Sequence, residues 1–390
     1  MDKQLSFILF TAETAPSFAG DGLNALLFAK TLVKKGHAAD IVCLNPDGLL
    51  SNKEEFDGVV VNRISYRYKT KAGRFLLRLR MVFTLLNKKY RNSYWLIYGS
   101  MPTHKLIIIF GWLRGVKVVF RSTLYGFDNV NSCVLSGFWL SQVFNRNVYR
   151  KVSAYYALNS AFEKEWMSMY STPIFVSPQG VNLIKYSSIG YNKSDLRKRL
   201  DLPESKIIVL IVGHLINRKG FPELFEWLSK INDDFLLVHL GRSNAPVWDA
   251  VSVKNAEMNK IRIEGESLLA DRVLFVGECS TPEFYYLASD IFILSSYYEG
   301  FPSNSVNESM AAGLALLIRK IVGSDDYVEE DVNGSFFESE SEFIEKFRRM
   351  LNDIDLRNRL GDSARKFAVE NNNIDDVVDR FLAFVNEKMT

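Results

Sequence analysis

Cysteine is scarce in this sequence of 390 residues: Cys43, Cys133 and Cys279 stand far apart, in no spacing that a disulfide framework or a zinc site uses. Three packed thiols in a reducing compartment are the expectation. Histidine is equally sparse, and His37, His104, His214 and His239 form no ligand cluster, so no metal and no cofactor are expected. Long apolar runs are missing too. The longest in the interior, Leu106–Leu113, falls far short of the roughly 20 residues that cross a bilayer. At the N-terminus, Lys3 and the run Leu5–Phe10 have the outline of a short signal peptide, yet the run is strand-length and leads into a glycine turn and a helix. It is read as a first β-strand, and the chain as cytoplasmic. Neither an internal repeat nor a low-complexity tract occurs.

What is present fits a soluble globular protein, 47% hydrophobic and 24% charged, long enough for two α/β domains. The net charge of +3 conceals an asymmetry. Residues 1–185 hold 24 Lys and Arg against 11 Asp and Glu, whereas the remaining 205 hold 24 against 34. A basic first half points to an anionic partner. Nucleic acid is not the expected one, because no binding module or aromatic platform accompanies the charge.

Short β-branched and aromatic runs alternate with helical patterns twice over. In the first half, strands are expected at Leu5–Thr11, Asp40–Leu44, Gly58–Ser65, Tyr94–Tyr98, Lys117–Arg121, Ala154–Ala157 and Ile174–Ser177. In the second they fall at Lys206–Val212, Phe235–Leu240, Arg272–Val276, Ile291–Leu294, Leu314–Ile318 and Ser335–Phe337. Runs such as Ile207–Val212 are apolar throughout, as parallel strands buried on both faces require. The expected fold is therefore α/β: two Rossmann-like, doubly wound parallel-sheet domains, 1–182 and 183–371, facing a cleft.

Three segments carry candidate chemistry. Gly20, Asp21 and Gly22 follow the first strand and open a helix, where backbone N–H groups can approach a phosphate or merely make a tight turn. In the second half a strand ends in Gly213 and His214, and Arg218 and Lys219 follow. The two cations suit a diphosphate, at about 1.5–3 kcal/mol per charge-assisted bond, unless they form a solvated turn. The longest signal is Tyr297–Gly313. After a strand come Glu299, a Gly300-Phe301-Pro302 loop, then Ser303, Asn304, Ser305 and Val306 at a helix start, and a second carboxylate, Glu308. Either serine can N-cap the helix. Two carboxylates can bracket a polyhydroxylated ligand, while the blander role of Glu308 is a helix-capping acid.

The Tyr297–Gly313 segment resembles the signature of family-4 glycosyltransferases of the GT-B fold: Glu-Gly-Phe, a second Glu, then Ala-Met-Ala-x-Gly. The resemblance extends over nearly the whole chain, through Gly20–Gly22, Val176–Asn182, Gly213–Gly220, Asp325–Gly334 and Asn372–Val378. It implies a retaining, metal-independent transferase using a nucleotide diphosphate sugar, with a final helix, residues 372–390, packed back on the first domain. By the same resemblance Glu308 holds the ribose, while Glu299 with the Gly300–Phe301 backbone positions the donor sugar. Amides around Ser303–Ser305, with Arg218 and Lys219, carry the diphosphate. A glycan or lipid-linked acceptor and surface polysaccharide synthesis follow as expectations.

Three features depart from the family pattern. Eight residues rather than seven separate Glu299 from Glu308, His214 stands where the diphosphate arginine is usual, and Tyr125 replaces a histidine facing the sugar. A phenol, with its unperturbed pKa of about 10, is a poor base at neutral pH. A nucleotide-sugar-binding protein without catalysis, or an epimerase or phosphorylase on the same scaffold, stays open as an alternative.

Residues 69–91 hold eight Lys and Arg and no acid, interleaved with large apolar residues. They read either as a basic amphipathic helix lying on an anionic membrane or as an ordinary helix whose apolar stripe faces the core.

Overall fold

The computed structural model describes residues 4–16, 20–46, 48–67, 69–242 and 252–389. Its contacts gather the chain into two units, 1–180 with 374–390, and 181–373, against expected junctions at 182/183 and 371/372.

The first unit holds β1 (Ser6–Thr11), β2 (Ala38–Pro46), β3 (Lys53–Phe56), β4 (Val59–Tyr66), β5 (Tyr94–Tyr98), β6 (Val118–Arg121), β7 (Ala154–Ala157) and β8 (Ile174–Val176). They form one sheet in the order β3-β4-β2-β1-β5-β6-β7-β8, parallel except for the β3–β4 hairpin. That hairpin is absent from the expected strands. Its turn is Asp57-Gly58, both at positive φ, with Phe56 paired to Val59. Asp-Gly is a strong two-residue hairpin signal, but the charged sequence Lys53-Glu54-Glu55 hides the strand from a reading that looks for apolar runs.

In the second unit, β9 (Ile207–Val212), β10 (Phe235–Leu240), β11 (Val273–Gly277), β12 (Ile291–Leu294), β13 (Ala315–Arg319) and β14 (Ser335–Phe337) form a wholly parallel sheet in the order β11-β10-β9-β12-β13-β14. The apolar run of β9 explains why. Ile208 and Leu210 enter the core on one face, and Val209 and Ile211 enter the core on the other. Burying each such side chain is worth about 1.5–3 kcal/mol, so the run is stable only between two helix layers.

The two-Rossmann reading therefore stands. In each sheet the first strand sits inside, β1 between β2 and β5, and β9 between β10 and β12. The order in which strands are added reverses there, and ligands of open parallel sheets bind beyond the carboxyl ends at such points. The last helix, Ile374–Lys388, belongs to the first unit, as expected. Phe381 packs its ring against Phe28 and Phe175 at 5.3 and 5.4 Å, and Asp375 and Asp379 pair with Lys34 and Lys35.

Candidate active site

Of the second-unit residues singled out in the sequence, Gly213, His214, Arg218, Lys219 and Glu299 meet at the β9/β12 switch point, while Glu308 has its own tyrosine partners. The chain leaves β9 through Gly213 and makes a short 3-10 turn over Asn217–Lys219 before the Phe221–Ser229 helix. Gly220 joins them at φ 68°, and a Cβ there would stand 2.2 Å from the Ser295 carbonyl. Only glycine lets the turn lie against the end of β12 so closely. Ser295 Oγ donates to the Lys219 carbonyl at 2.7 Å, and the Tyr297 amide to the Arg218 carbonyl at 3.0 Å. Two loops 80 residues apart are thereby locked together.

Their side chains form one ion cluster. Lys219 Nζ lies 2.5 Å and Arg218 Nη1 3.1 Å from Glu299 Oε1, and Ser296 Oγ donates to the same oxygen at 2.7 Å. Arg218 also donates to the Tyr298 carbonyl at 2.8 Å. Glu299 is buried, which by itself pushes its carboxyl up; the two cations more than reverse this and hold it at about 2. The solvated-turn alternative for Arg218 and Lys219 is thus corrected: both are mostly covered and paired with Glu299, which the sequence reading had assigned to a separate task. His214 stays neutral, its pKa lowered to about 3 by burial and by Arg242, Lys219 and Arg218. Gly213 accepts from His239 Nε2 through its carbonyl at 2.8 Å.

Gly300, Phe301 and Pro302 are buried in the loop after Glu299, with Phe301 in the core beside Tyr327. Ser303 occupies the N-cap of the Asn304–Ala312 helix but makes no side-chain capping bond; its hydroxyl meets that of Ser305 at 3.1 Å. Val306 packs into the core. Glu308 lies in the second turn, beyond the reach of a capping acid. Tyr286 donates to its carboxylate at 2.6 Å, and burial raises its pKa while the Tyr286 and Tyr186 hydroxyls oppose the rise. These tyrosines were missed because nothing in an apolar stretch such as Phe284–Leu287 marks one ring as a carboxylate partner.

In the first unit Gly20 and Asp21 begin the Gly20–Lys34 helix. A Cβ on Gly22 would stand 1.7 Å from the Glu13 carbonyl oxygen, so close backbone packing alone requires glycine there. Tyr125 sits in the loop after β6, organised by buried Asp128, which accepts from the Thr123 and Leu124 amides at 2.8 Å each. The Tyr125 ring packs edge-on against Phe162 at 5.3 Å. Burial raises its pKa, and so does the neighbouring Glu165 carboxylate. A further polar group went unforeseen: Arg121, 1% exposed, donates to Asn24 Oδ1 at 2.8 Å and Gln179 Oε1 at 3.1 Å between the rings of Tyr98 and Tyr156.

Residues 192–367, which contain Arg218, Lys219, Glu299 and Glu308, match the family model described as Glycosyl transferases group 1. Over that span the chain is similar to a group 1 glycosyltransferase domain. Spore coat protein SA of Bacillus subtilis is 25% identical over 376 residues, 91% of this chain and 92% of that protein. The N,N'-diacetylbacillosaminyl-diphospho-undecaprenol alpha-1,3-N-acetylgalactosaminyltransferase of Campylobacter jejuni is 26% identical over 259 residues. That match covers 60% of this chain and 64% of the enzyme, less than two thirds of its length. A solved sucrose-phosphate synthase from Thermosynechococcus elongatus superposes with a TM-score of 0.81 over 98% of this chain and 99% of that chain; at 19% identity the likeness is one of fold. The chain shares the fold of such structures. Among the described residues no cluster of His, Cys, Asp and Glu has the arrangement of a metal site, and no helix is long and apolar enough to cross a membrane.

Proposed function

We propose that this protein is a retaining, metal-independent glycosyltransferase of the family-4 type. It transfers a sugar from a nucleoside diphosphate sugar to a glycan or lipid-linked acceptor in surface polysaccharide synthesis. One observation carries the proposal: Glu299, Lys219 and Arg218 form a covered charge cluster at the carboxyl ends of β9 and β12. In the proposed reaction the bond between the sugar's anomeric carbon and the diphosphate oxygen breaks. The acceptor oxygen bonds to the same face of that carbon, and its proton passes to the departing phosphate. Lys219 and Arg218 neutralise the charge that develops on the diphosphate, assisted by amides around Ser303–Val306 at the helix N-terminus. Glu299 and the Gly300–Phe301 backbone orient the sugar, and Glu308 takes the ribose hydroxyls. Neutral His214 adds no third charge.

The Campylobacter relative acts, by its name, on a diphospho-undecaprenol acceptor, which supports a lipid-linked class. Recruitment through residues 69–91 to the anionic inner face of the membrane goes with it. One observation favours donor binding without turnover, namely that Tyr125 is engaged with Phe162 and Glu165. Hydrolysis of the donor in the absence of acceptor would decide against that second reading.

The test is calorimetry of UDP, GDP and ADP with the wild type and Glu308→Ala. One nucleotide is expected to bind at micromolar strength, with at least a tenfold loss, about 1.4 kcal/mol, in the variant. If none binds, or Glu308→Ala changes nothing, the donor site is elsewhere.

A further inference from the structure

Segment 69–91 has two apolar stripes. The Lys71–Leu85 helix buries Leu77, Met81 and Leu85 in the first-unit core. Phe75, Leu79 and Phe83 repeat at the same four-residue spacing, two positions out of step. Two residues turn a helix by about 200°, so this stripe points away from the core, and its members are exposed together with Leu76 and Leu86. The core-facing stripe is thus present, and a second apolar stripe lies exposed on the opposite side of the same helix.

The pattern continues on neighbouring helices. The His104–Leu113 helix packs against the Lys71–Leu85 helix on one side and the Trp139–Tyr149 helix on the other. Arg114 donates to the Leu85 carbonyl, Lys105 Nζ to Asn145 Oδ1 at 2.7 Å, and Lys151 lies 3.4 Å over the Trp112 ring. Trp112 and Leu113 are exposed at the end of the middle helix. The third buries Asn145, Val148 and Tyr149 and leaves Trp139, Leu140, Val143 and Phe144 half or more exposed, with Phe138 just before them. Twelve large apolar side chains, each at least 40% exposed, thus lie on one packed layer of three helices. Soluble monomers rarely expose contiguous apolar patches beyond a few hundred Å².

The surrounding charge selects the occupant. Residues 67–151 contain sixteen Lys and Arg, of which only Arg121 is buried, and a single acid, Asp128, which is buried. A second copy of this chain would have to bring the same cations against them. An anionic bilayer meets both demands at once, since its headgroups match the cations and its acyl boundary takes the apolar side chains.

We propose that this three-helix layer is an interfacial membrane face, and that the Phe138–Phe144 segment inserts into the acyl boundary with Trp139 leading. The inference extends the reading of residues 69–91 as membrane-facing and is independent of the transferase reaction. Electrostatic recruitment through 69–91 and insertion through 138–144 differ in their response to salt, because ions screen headgroup attraction and leave apolar burial intact.

The experiment measures co-sedimentation of the full chain with phosphatidylcholine–phosphatidylglycerol vesicles at low and high salt, and quenching of its tryptophan fluorescence by brominated phosphatidylcholine in the same vesicles. The wild type is expected to retain binding at high salt and to be quenched. Trp139→Glu with Phe144→Glu is expected to lose at least tenfold in high-salt partitioning and most of the quenching, with an unchanged melting profile. Trp139→Phe is expected to keep partitioning near wild type. Wild-type binding that disappears at high salt, or a double variant that partitions like the wild type, overturns insertion while leaving recruitment through 69–91 intact. A wild type that ignores vesicles and self-associates, with the double variant monomeric, overturns it in favour of a second copy as the occupant.

Discussion

The ion cluster at Glu299 makes the sharpest quantitative prediction. Side-chain exposure is 8% for Glu299, 11% for Lys219 and 21% for Arg218, so the first two are covered charges that rely on each other. Removing one partner of a buried pair costs about 3–5 kcal/mol, mainly because the other is left unpaired. In Lys219→Met the carboxylate still has Arg218 at 3.1 Å and Ser296 at 2.7 Å, which places the cost near the lower bound, about 3 kcal/mol. Glu299→Gln keeps the shape of the side chain but strands Lys219, at about 2 kcal/mol. The double variant leaves no covered, unpaired carboxylate or ammonium. It should cost about 3 kcal/mol rather than 5, a coupling of about 2 kcal/mol. Two units need not unfold together, so the assay is native-state hydrogen exchange of the β9 and β12 amides, which reads the opening free energy of that sheet alone. Costs that add within about 0.5 kcal/mol would refute the cluster as described. The pH dependence is a second check. With its folded pKa lowered to about 2 from 4.5, Glu299 contributes stability that is complete above pH 4.5 and lost as the pH falls through 2. The coupling measured at neutral pH should fade over that window.

Gly220→Ala should cost at least about 2 kcal/mol more than Gly277→Ala by thermal or exchange measurements, since both pay the left-handed penalty but only Gly220 meets a carbonyl, at 2.2 Å. His239 is fully buried with its pKa lowered to about 4 from 6.5, so the unfolded chain binds the extra proton between those values and stability falls on acidification from pH 6.5 to 4. His239→Phe should flatten that slope in a pH series of unfolding curves; an unchanged slope would rule the residue out as its source. Tyr286→Phe removes the 2.6 Å bond to Glu308 and should destabilise the second unit by about 1.5–3 kcal/mol, read by exchange at the Asn304–Ala312 helix. A loss below 0.5 kcal/mol would mean that the carboxylate has another equivalent partner.

Strand positions were legible because burial on both faces demands uninterrupted apolar runs, and all thirteen expected strands occur with ends shifted by at most two residues. The β3 edge strand was not, since an exposed hairpin arm needs no apolar residue. At the site, the motif after β12 marked Glu299 and Glu308, and the glycine turn after β9 marked Arg218 and Lys219. Their roles as mutual ion partners were invisible. That pairing depends on β9 and β12 being neighbours in the sheet, a relation between segments 80 residues apart that no local spacing encodes.

By itself the sequence determined what each segment could become. Continuous β-branched runs had to be covered strands. Lys71–Leu85, with apolar residues on opposite sides, had to be a helix with more apolar surface than one core contact uses. Tertiary structure decided which surface was used. The Trp139–Tyr149 helix carries apolar residues on more than one side, with Ser141, Gln142, Asn145, Arg146 and Asn147 between them, so its sequence marks no single buried stripe. Only the packing of Asn145, Val148 and Tyr149 inward leaves Trp139, Leu140, Val143 and Phe144 facing out. The hydrophobic effect is non-directional, so an apolar residue states that it seeks cover and not which neighbour will supply it. Arg121 shows the polar counterpart: its charge is tolerable in the interior only because β6 delivers it between Tyr98 and Tyr156, within reach of Asn24 and Gln179.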